Sequence, residues 1–304
     1  MAVNRRSRKP RIGLALGSGS ARGWAHLGVV RTLVQAGIRP DIVCGTSIGA
    51  LVAAAHACGE LERFEAWTRQ LKMRDVLSLM DFHLTGGMLK GERLMAFFRR
   101  HFMDRPIEAL NVPFAAVATD LHTGQEVWLK EGSTTDAVRA SIALPGLFSP
   151  VWVDGRLLVD GGLVNPVPVS LARAMGADIV LAVDLNADIL GRHLDASVAQ
   201  KVGSSIGSAW RQHVPDALAA LLPTNNHDDD TGMPSLLDIV ASSINIMQVR
   251  ITRSRMAGDP ADAVIAPALA TLGLMDFHKA ALAIEAGEQA ATASLPALQR
   301  LGLL

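Results

Sequence analysis

Two periodicities alternate along the N-terminal part of the chain. RIGLAL (11–16) is an apolar run closed by a glycine and reads as a buried strand. GSGSARG (17–23) is loop by composition. In WAHLGVVRTLVQAG (24–37) apolar residues recur at helical spacing, and Gly37 supplies the stop. DIVCG (41–45) reads as a second strand and SIGALVAAAHACG (47–59) as a second helix. This βαβα order predicts an α/β fold with parallel strands and right-handed crossovers.

Farther on, residues 60–110 look helical, broken by LTGGMLKG (84–91). FAAVATDL (114–121) and QEVWLK (125–130) flank HTG and read as a hairpin. DAVRASIAL (136–144) is a helix stopped by Pro145-Gly146. RLLVDGG (156–162) is a strand entering a turn, and ADIVLAVDL (177–185) is another buried strand. The pattern weakens over 187–234, which reads as an insertion or mobile cover. SLLDIVASSINIMQVRITRSRM (235–256) is an amphipathic helix, ADAVIAPAL (261–269) a last strand, and the tail from Phe277 alanine-rich helix. No repeat and no long linker divides the chain. The expected organisation is a basic leader (1–10) followed by one domain (11–304).

Composition narrows the class. Hydrophobic residues make up 49 % of 304 residues, so a sizeable core can form. Aromatics are only 4 % and tyrosine is absent, so Ala, Leu and Val must fill it. Lys+Arg and Asp+Glu are both 29, and a net charge of zero excludes a whole-domain nucleic-acid binder. Cys44 and Cys58 sit in apolar surroundings and read as buried free thiols. No apolar run reaches the roughly 18 residues of a membrane span, and the leader lacks the apolar segment of a secretory signal. The expected location is cytoplasmic. Arg5, Arg6, Arg8, Lys9 and Arg11 read either as a solvated leader or as a peripheral contact with anionic lipid at the inner membrane face, at about 1 kcal/mol per charge.

VCGTSIGALV carries the sharpest chemical signal. Ser47 lies between Gly45 and Gly49, after a strand and before a helix. A serine on such a tight turn is exposed at the sheet's C-terminal edge, and only small neighbours fit. Gly45-Thr46-Ser47-Ile48-Gly49 therefore reads as a nucleophile elbow. The free N–H groups and dipole of the following helix favour developing negative charge. The competing reading is an N-cap serine among packing glycines.

The loop Ser18-Gly19-Ser20-Ala21-Arg22-Gly23 follows a strand and opens a helix, as dinucleotide loops do. Its third glycine is one residue late for G-x-G-x-x-G, and the next strand ends without an acidic residue to hold a ribose. No Gly-Lys-Ser/Thr completes a P-loop. The better reading is an oxyanion loop, whose backbone N–H groups face the carbonyl that Ser47 attacks.

A serine hydroxyl needs a base. His26 and His56 lie on expected helices and read as packing or capping residues. His278 follows Ser47 and several aspartates, an order that permits a Ser-Asp-His triad, though only one strand precedes the elbow. The alternative is Asp160, presented at a strand end by Gly161-Gly162. An Asx turn would explain that aspartate equally well. The residues alone leave both bases open.

Taken in order, the three segments resemble the patatin-like phospholipases. That family carries a glycine-rich loop ending in Arg-Gly, then G-x-S-x-G, then D-G-G or D-G-A. The likeness extends to ASIALPGLFSPV (140–151) and VNPVP (164–168) and covers about residues 10–190. GLALGSGSARGWAH, ATDLHTG and RMAGDP are similar to its RssA-type bacterial branch. The resemblance implies a patatin-like three-layer α/β/α fold with a mainly parallel sheet. It implies a Ser–Asp dyad of Ser47 and Asp160, no catalytic histidine, no cofactor or metal, and acyl esters of lipids as substrates. Ser18 and Ser20 stand where many members have glycine. Arg22 is expected to anchor the loop, the alternative being contact with a lipid phosphate. HDDD (227–230) reads as a solvated acidic turn, and LTGGMLKG with 187–234 as a candidate apolar cover over an acyl site, simple packing being the alternative for the Met-bearing loop.

Overall fold

The computed structural model describes residues 9–79, 90–102, 105–188 and 236–304. Most of the basic leader, most of LTGGMLKG, residues 189–234 of the expected cover with its HDDD turn, and His83, His193, His213 and His227 lie outside the described residues.

One eight-stranded sheet organises the rest, in the order β5-β6-β3-β2-β1-β7-β8 with β4 also on β3. Its parallel half is β1 (Ile12–Leu16), β2 (Ile42–Thr46), the start of β3 (Phe114–Asp120), β7 (Ile179–Val183) and β8 (Ala263–Ile265). Strands β4 (Glu126–Leu129), β5 (Val151–Val153) and β6 (Arg156–Asp160) join antiparallel.

The buried strands obey the two-residue alternation of the pleat. Leu14, Leu16, Val43, Leu181 and Val183 face one core, while Ala15, Cys44, Val180 and Ala182 face the other. The first core is covered by α1 (Ala25–Gln35), α2 (Ile48–Ala57), α3 (Leu61–Thr68), α5 (Glu92–His101) and α9 (Ala280–Arg300), with α4 (Met73–Leu79) at its margin. The second is covered by α7 (Val169–Ala174) and by Met256 near the end of α8 (Leu236–Gly258). Helices on both faces make this a three-layer α/β/α fold with a mainly parallel sheet. No helix among the described residues is long and apolar enough to cross a membrane.

One local reading needs correction. Helix α6 spans Thr134–Ser141 and ends well before Pro145-Gly146. Past the helix end the Ala143 carbonyl accepts from Asp160 N–H at 3.0 Å, a bond to β6 rather than to a further helical turn. Strand β5 and helix α7 were not expected. Helix α8 forms as expected, and Asn245 and Gln248 on it line the cavity together with Ile244.

Candidate active site

Strand register brings the serine and the aspartate together. β2 pairs with β3 up to Thr46 opposite Val117, and β6 pairs with β3 from Asp160 opposite Ala118. β4 already occupies β3 from Ala116 to Thr119. Since β4 overlaps both partners, β2 and β6 must share the other edge, where they meet end to end. Ser47, one residue past β2, therefore arrives beside the last residue of β6.

The turn at Ser47 is sharp. Its φ of 57° and ψ of −127° lie outside the regions favoured by a side chain, a conformation that costs about 1–3 kcal/mol and persists only where neighbours hold it. Gly45 and Gly49 permit it. A Cβ on Gly45 would fall on the Gly49 carbonyl group, and one on Gly49 would meet the Leu16 and Gly17 carbonyl oxygens. The Ser47 hydroxyl makes no helix cap. It donates instead to Asp160 Oδ2 at 2.6 Å.

Asp160 is 1 % exposed. Its Oδ1 accepts from Gly162 N–H at 2.7 Å and its carbonyl from Thr119 Oγ1 at 2.8 Å. The Asx turn and the contact with Ser47 thus coexist, one on each carboxylate oxygen. Burial pushes its pKa up to about 6, against the opposing pull of the bonds from Ser47 and Gly162. Among the described residues no histidine bonds to either group, and His278 lies on a separate 3-10 turn (Phe277–Lys279).

The glycine-rich loop lies alongside. Gly17 N–H donates to Val183, Ser18 N–H to Pro166, and Ala21 N–H to Leu274. Among the described residues nothing accepts from the N–H groups of Gly19 and Ser20, and both residues line the cavity with Ser18, Ser47 and Asp160. Ala21, Arg22 and Gly23 turn away into the buried 3-10 turn Ser20–Trp24. Gly23 packs on Ile48, where a side chain would collide. Arg22 is buried and donates through Nη2 to Asn245 Oδ1 at 3.1 Å, an anchoring role. Burial lowers its pKa to about 10, and nearby Asp184 partly offsets the shift.

Several partners carried no sequence signal. Ser141 Oγ accepts from Ser47 N–H, so that N–H is already engaged. Thr46 Oγ1 donates to Asn165 O at 2.7 Å and ties the elbow to the loop after Asp160. His26 is fully buried and Nε2 lies 2.7 Å from the Gly17 carbonyl. A carbonyl only accepts, so Nε2 carries the proton, and burial drives the ring's pKa down to about 4. His26 is thus the packed residue expected, but it packs directly behind the loop.

A cavity of about 1100 Å³, counted with its open mouth, leads away from Ser47. Trp24, Trp67, Leu71, Leu94, Phe98, Leu144, Phe148 and Phe277 line it, and its polar groups are Ser18, Ser20, Asn245, Gln248 and the Ser47–Asp160 pair. Arg139 braces one wall. It donates to the Lys90 and Ser149 carbonyls and lies 5.6 Å from the Phe148 ring. The site can therefore present a polarised hydroxyl, a buried carboxylate and free N–H groups to a ligand with a long apolar part.

Comparison with known proteins places the chain in a family. The family model described as patatin-like phospholipase matches residues 14–173. An uncharacterized NTE family protein of Mycobacterium tuberculosis is 34 % identical, over 97 % of this chain and 94 % of its own length. Mouse patatin-like phospholipase domain-containing protein 6 is 35 % identical over 66 % of this chain but only 15 % of that protein. The crystal structure of VipD from Legionella pneumophila superposes with a TM-score of 0.57 at 14 % identity, over 95 % of this chain and 67 % of that one, which is a likeness of fold. By the extent of these matches, the chain belongs to the patatin-like phospholipase family.

Proposed function

We propose that this protein is a serine acyl hydrolase that cleaves carboxylic ester bonds of lipids, of the phospholipase or lysophospholipase type. Ser47 is the nucleophile and Asp160 the general base. Residues 11–304 act as one hydrolase domain, which by its motifs falls in the RssA-type branch. The observation that carries the reading is the 2.6 Å Ser47–Asp160 hydrogen bond at the end of an apolar cavity.

Asp160 takes the proton as Ser47 Oγ attacks the ester carbonyl carbon. Negative charge collects on the former carbonyl oxygen, held by the N–H groups of Gly19 and Ser20 and by that of Ile48 at the start of α2. The carbon–oxygen bond to the alcohol breaks, Asp160 returns its proton to the departing alkoxide, and an acyl-serine remains. Water then gives a proton to Asp160 and attacks the acyl carbon. Collapse releases the fatty acid and restores the Ser47 hydroxyl. A carboxylate of ordinary pKa would accept a proton poorly, and burial of Asp160 corrects this. The acyl chain occupies the apolar cavity. The enzyme works in the cytoplasm and meets its substrate as a peripheral protein at the inner membrane face, a placement supported by the basic leader residues.

The test is a fluorophosphonate probe with intact-mass readout, on wild type, Ser47→Ala and Asp160→Asn. One adduct on Ser47, absent in the alanine variant and slow in the asparagine variant, is expected. A folded wild type that takes no adduct overturns the reading in favour of an interaction protein. A p-nitrophenyl ester series should show preference for long chains; preference for acetate would make it a non-lipid carboxylesterase.

A further inference from the structure

Ser18 is a residue the family often replaces with glycine, and its polar groups are all engaged. Its N–H donates to the Pro166 carbonyl at 2.8 Å. Its carbonyl accepts from Asn186 Nδ2 at 3.4 Å. Its hydroxyl donates to Gln248 Oε1 at 3.1 Å, a contact buried from solvent and spanning 230 positions of sequence. Gln248 Oε1 also accepts from Asn186 Nδ2 at 3.4 Å, which fixes that oxygen as the acceptor end. The other end of the amide then faces the aspartate's turn. A Cβ on Gly162 would collide with Gln248 Nε2 while lying 3.0 Å from Asp160 Oδ1. Gln248 is 6 % exposed and lines the cavity. One amide therefore touches both halves of the site.

We infer that Gln248 is a positioning residue: through Ser18 it holds the loop that presents the Gly19 and Ser20 N–H groups, and so sets the rate of acyl transfer. The inference rests on the hydrolase reading above. A loop of glycines samples many backbone states, and donors act well only when held to within about 0.5 Å of the productive position. The Ser18 hydroxyl replaces that freedom with a side-chain tether. The tether comes from α8, an element far from the catalytic motifs in sequence.

A double-mutant cycle tests it, with Ser18→Ala removing the donor and Gln248→Met removing the acceptor at nearly constant volume. The readouts are the rate of labelling by fluorophosphonate, kcat and KM on a short-chain p-nitrophenyl ester, and Tm. Each single change should lower the labelling rate and kcat about 10-fold with KM changed less than about 2-fold, and the double should be no worse than the slower single. Losses that multiply in the double overturn the inference, as do losses confined to KM or Tm, while wild-type labelling leaves the hydrolase reading standing. A wild type that takes no label ends both. If Gln248→Met does not fold, Ser18→Gly decides: kcat must fall at constant KM, and an unchanged kcat overturns the proposal.

Discussion

Ser141 Oγ stands between Ser47 and the sheet, accepting from Ser47 N–H at 2.8 Å and donating to the Val117 carbonyl at 2.6 Å. One buried hydroxyl thus pins the strained backbone of the elbow to the edge where β2 ends and β6 begins. It also engages the Ser47 N–H, so in the proposed mechanism the oxyanion falls to the groups at Gly19, Ser20 and Ile48. Ser141→Ala strands a donor and an acceptor in the interior and should cost about 1–3 kcal/mol. Urea unfolding measures that loss. The fluorophosphonate should also label Ser47 more slowly, and an unchanged rate would mean that the glycines alone hold the turn.

The proposed role of Asp160 as base predicts a pH profile. Asp160 can accept a proton only when ionised, and its pKa sits at about 6. Below that value kcat/KM should fall about tenfold per pH unit. An acidic limb centred near pH 4 would show that burial does not govern this carboxylate in solution.

The same group sets a stability term of opposite benefit. Folding raises the Asp160 pKa from 3.8 to about 6, so between those values the folded state binds the proton more tightly than the unfolded state. Its contribution to stability is therefore greatest at low pH and is withdrawn as pH rises through that window, by up to about 3 kcal/mol. Asp160→Asn removes the buried charge. The variant should melt above wild type at pH 8, with the advantage vanishing near pH 4. A variant less stable at pH 8 would show that the lost hydrogen bonds outweigh the desolvation of the charge.

Much of this site was legible because its motifs are local. The βαβα start, the elbow at Ser47 and the turn at Asp160 announce themselves through small residues beside apolar strands. The antiparallel edge was harder. β5 has only three residues, two of them half-buried, and such a strand leaves no periodic trace. Ser141, Gln248 and Leu274 were invisible for a different reason. They contact Ser47, Ser18 and Ser20 across separations of 94, 230 and 254 positions. Nothing in their neighbourhoods distinguishes a hydroxyl, an amide or a carbonyl that registers with the site from one that does not.

Two glycines separate close approach from backbone conformation. Gly49 has an ordinary helical setting, yet a Cβ there would meet the carbonyl oxygens of Leu16, the last residue of β1, and of Gly17, whose own N–H is tied to Val183. Gly59 has a φ of 78° and open space around it. Gly49→Ala should cost about 3 kcal/mol or more, and Gly59→Ala about 1–2 kcal/mol from the left-handed backbone alone. Thermal melts of both variants rank them, and equal losses would show that the elbow can shift to admit a methyl group.

Ser20 presents the remaining contrast. Its φ is 52°, a conformation that suits glycine, and its hydroxyl donates to the Leu274 carbonyl at 2.6 Å. The strain costs about 1 kcal/mol and the hydrogen bond returns about as much. Ser20→Gly gives up both and should stay within about 1 kcal/mol of wild type. Ser20→Ala keeps the strain without the bond and should lose about 1 kcal/mol. Leu274 is also held by Ala21 N–H, and it lines the cavity, so this tether joins the loop to the cavity wall. Both variants remove one of the two hydrogen bonds that hold the loop at that point, and both should slow labelling of Ser47 whatever their stability. If Ser20→Ala melts no lower than Ser20→Gly, the hydroxyl is not what holds the backbone in its left-handed turn.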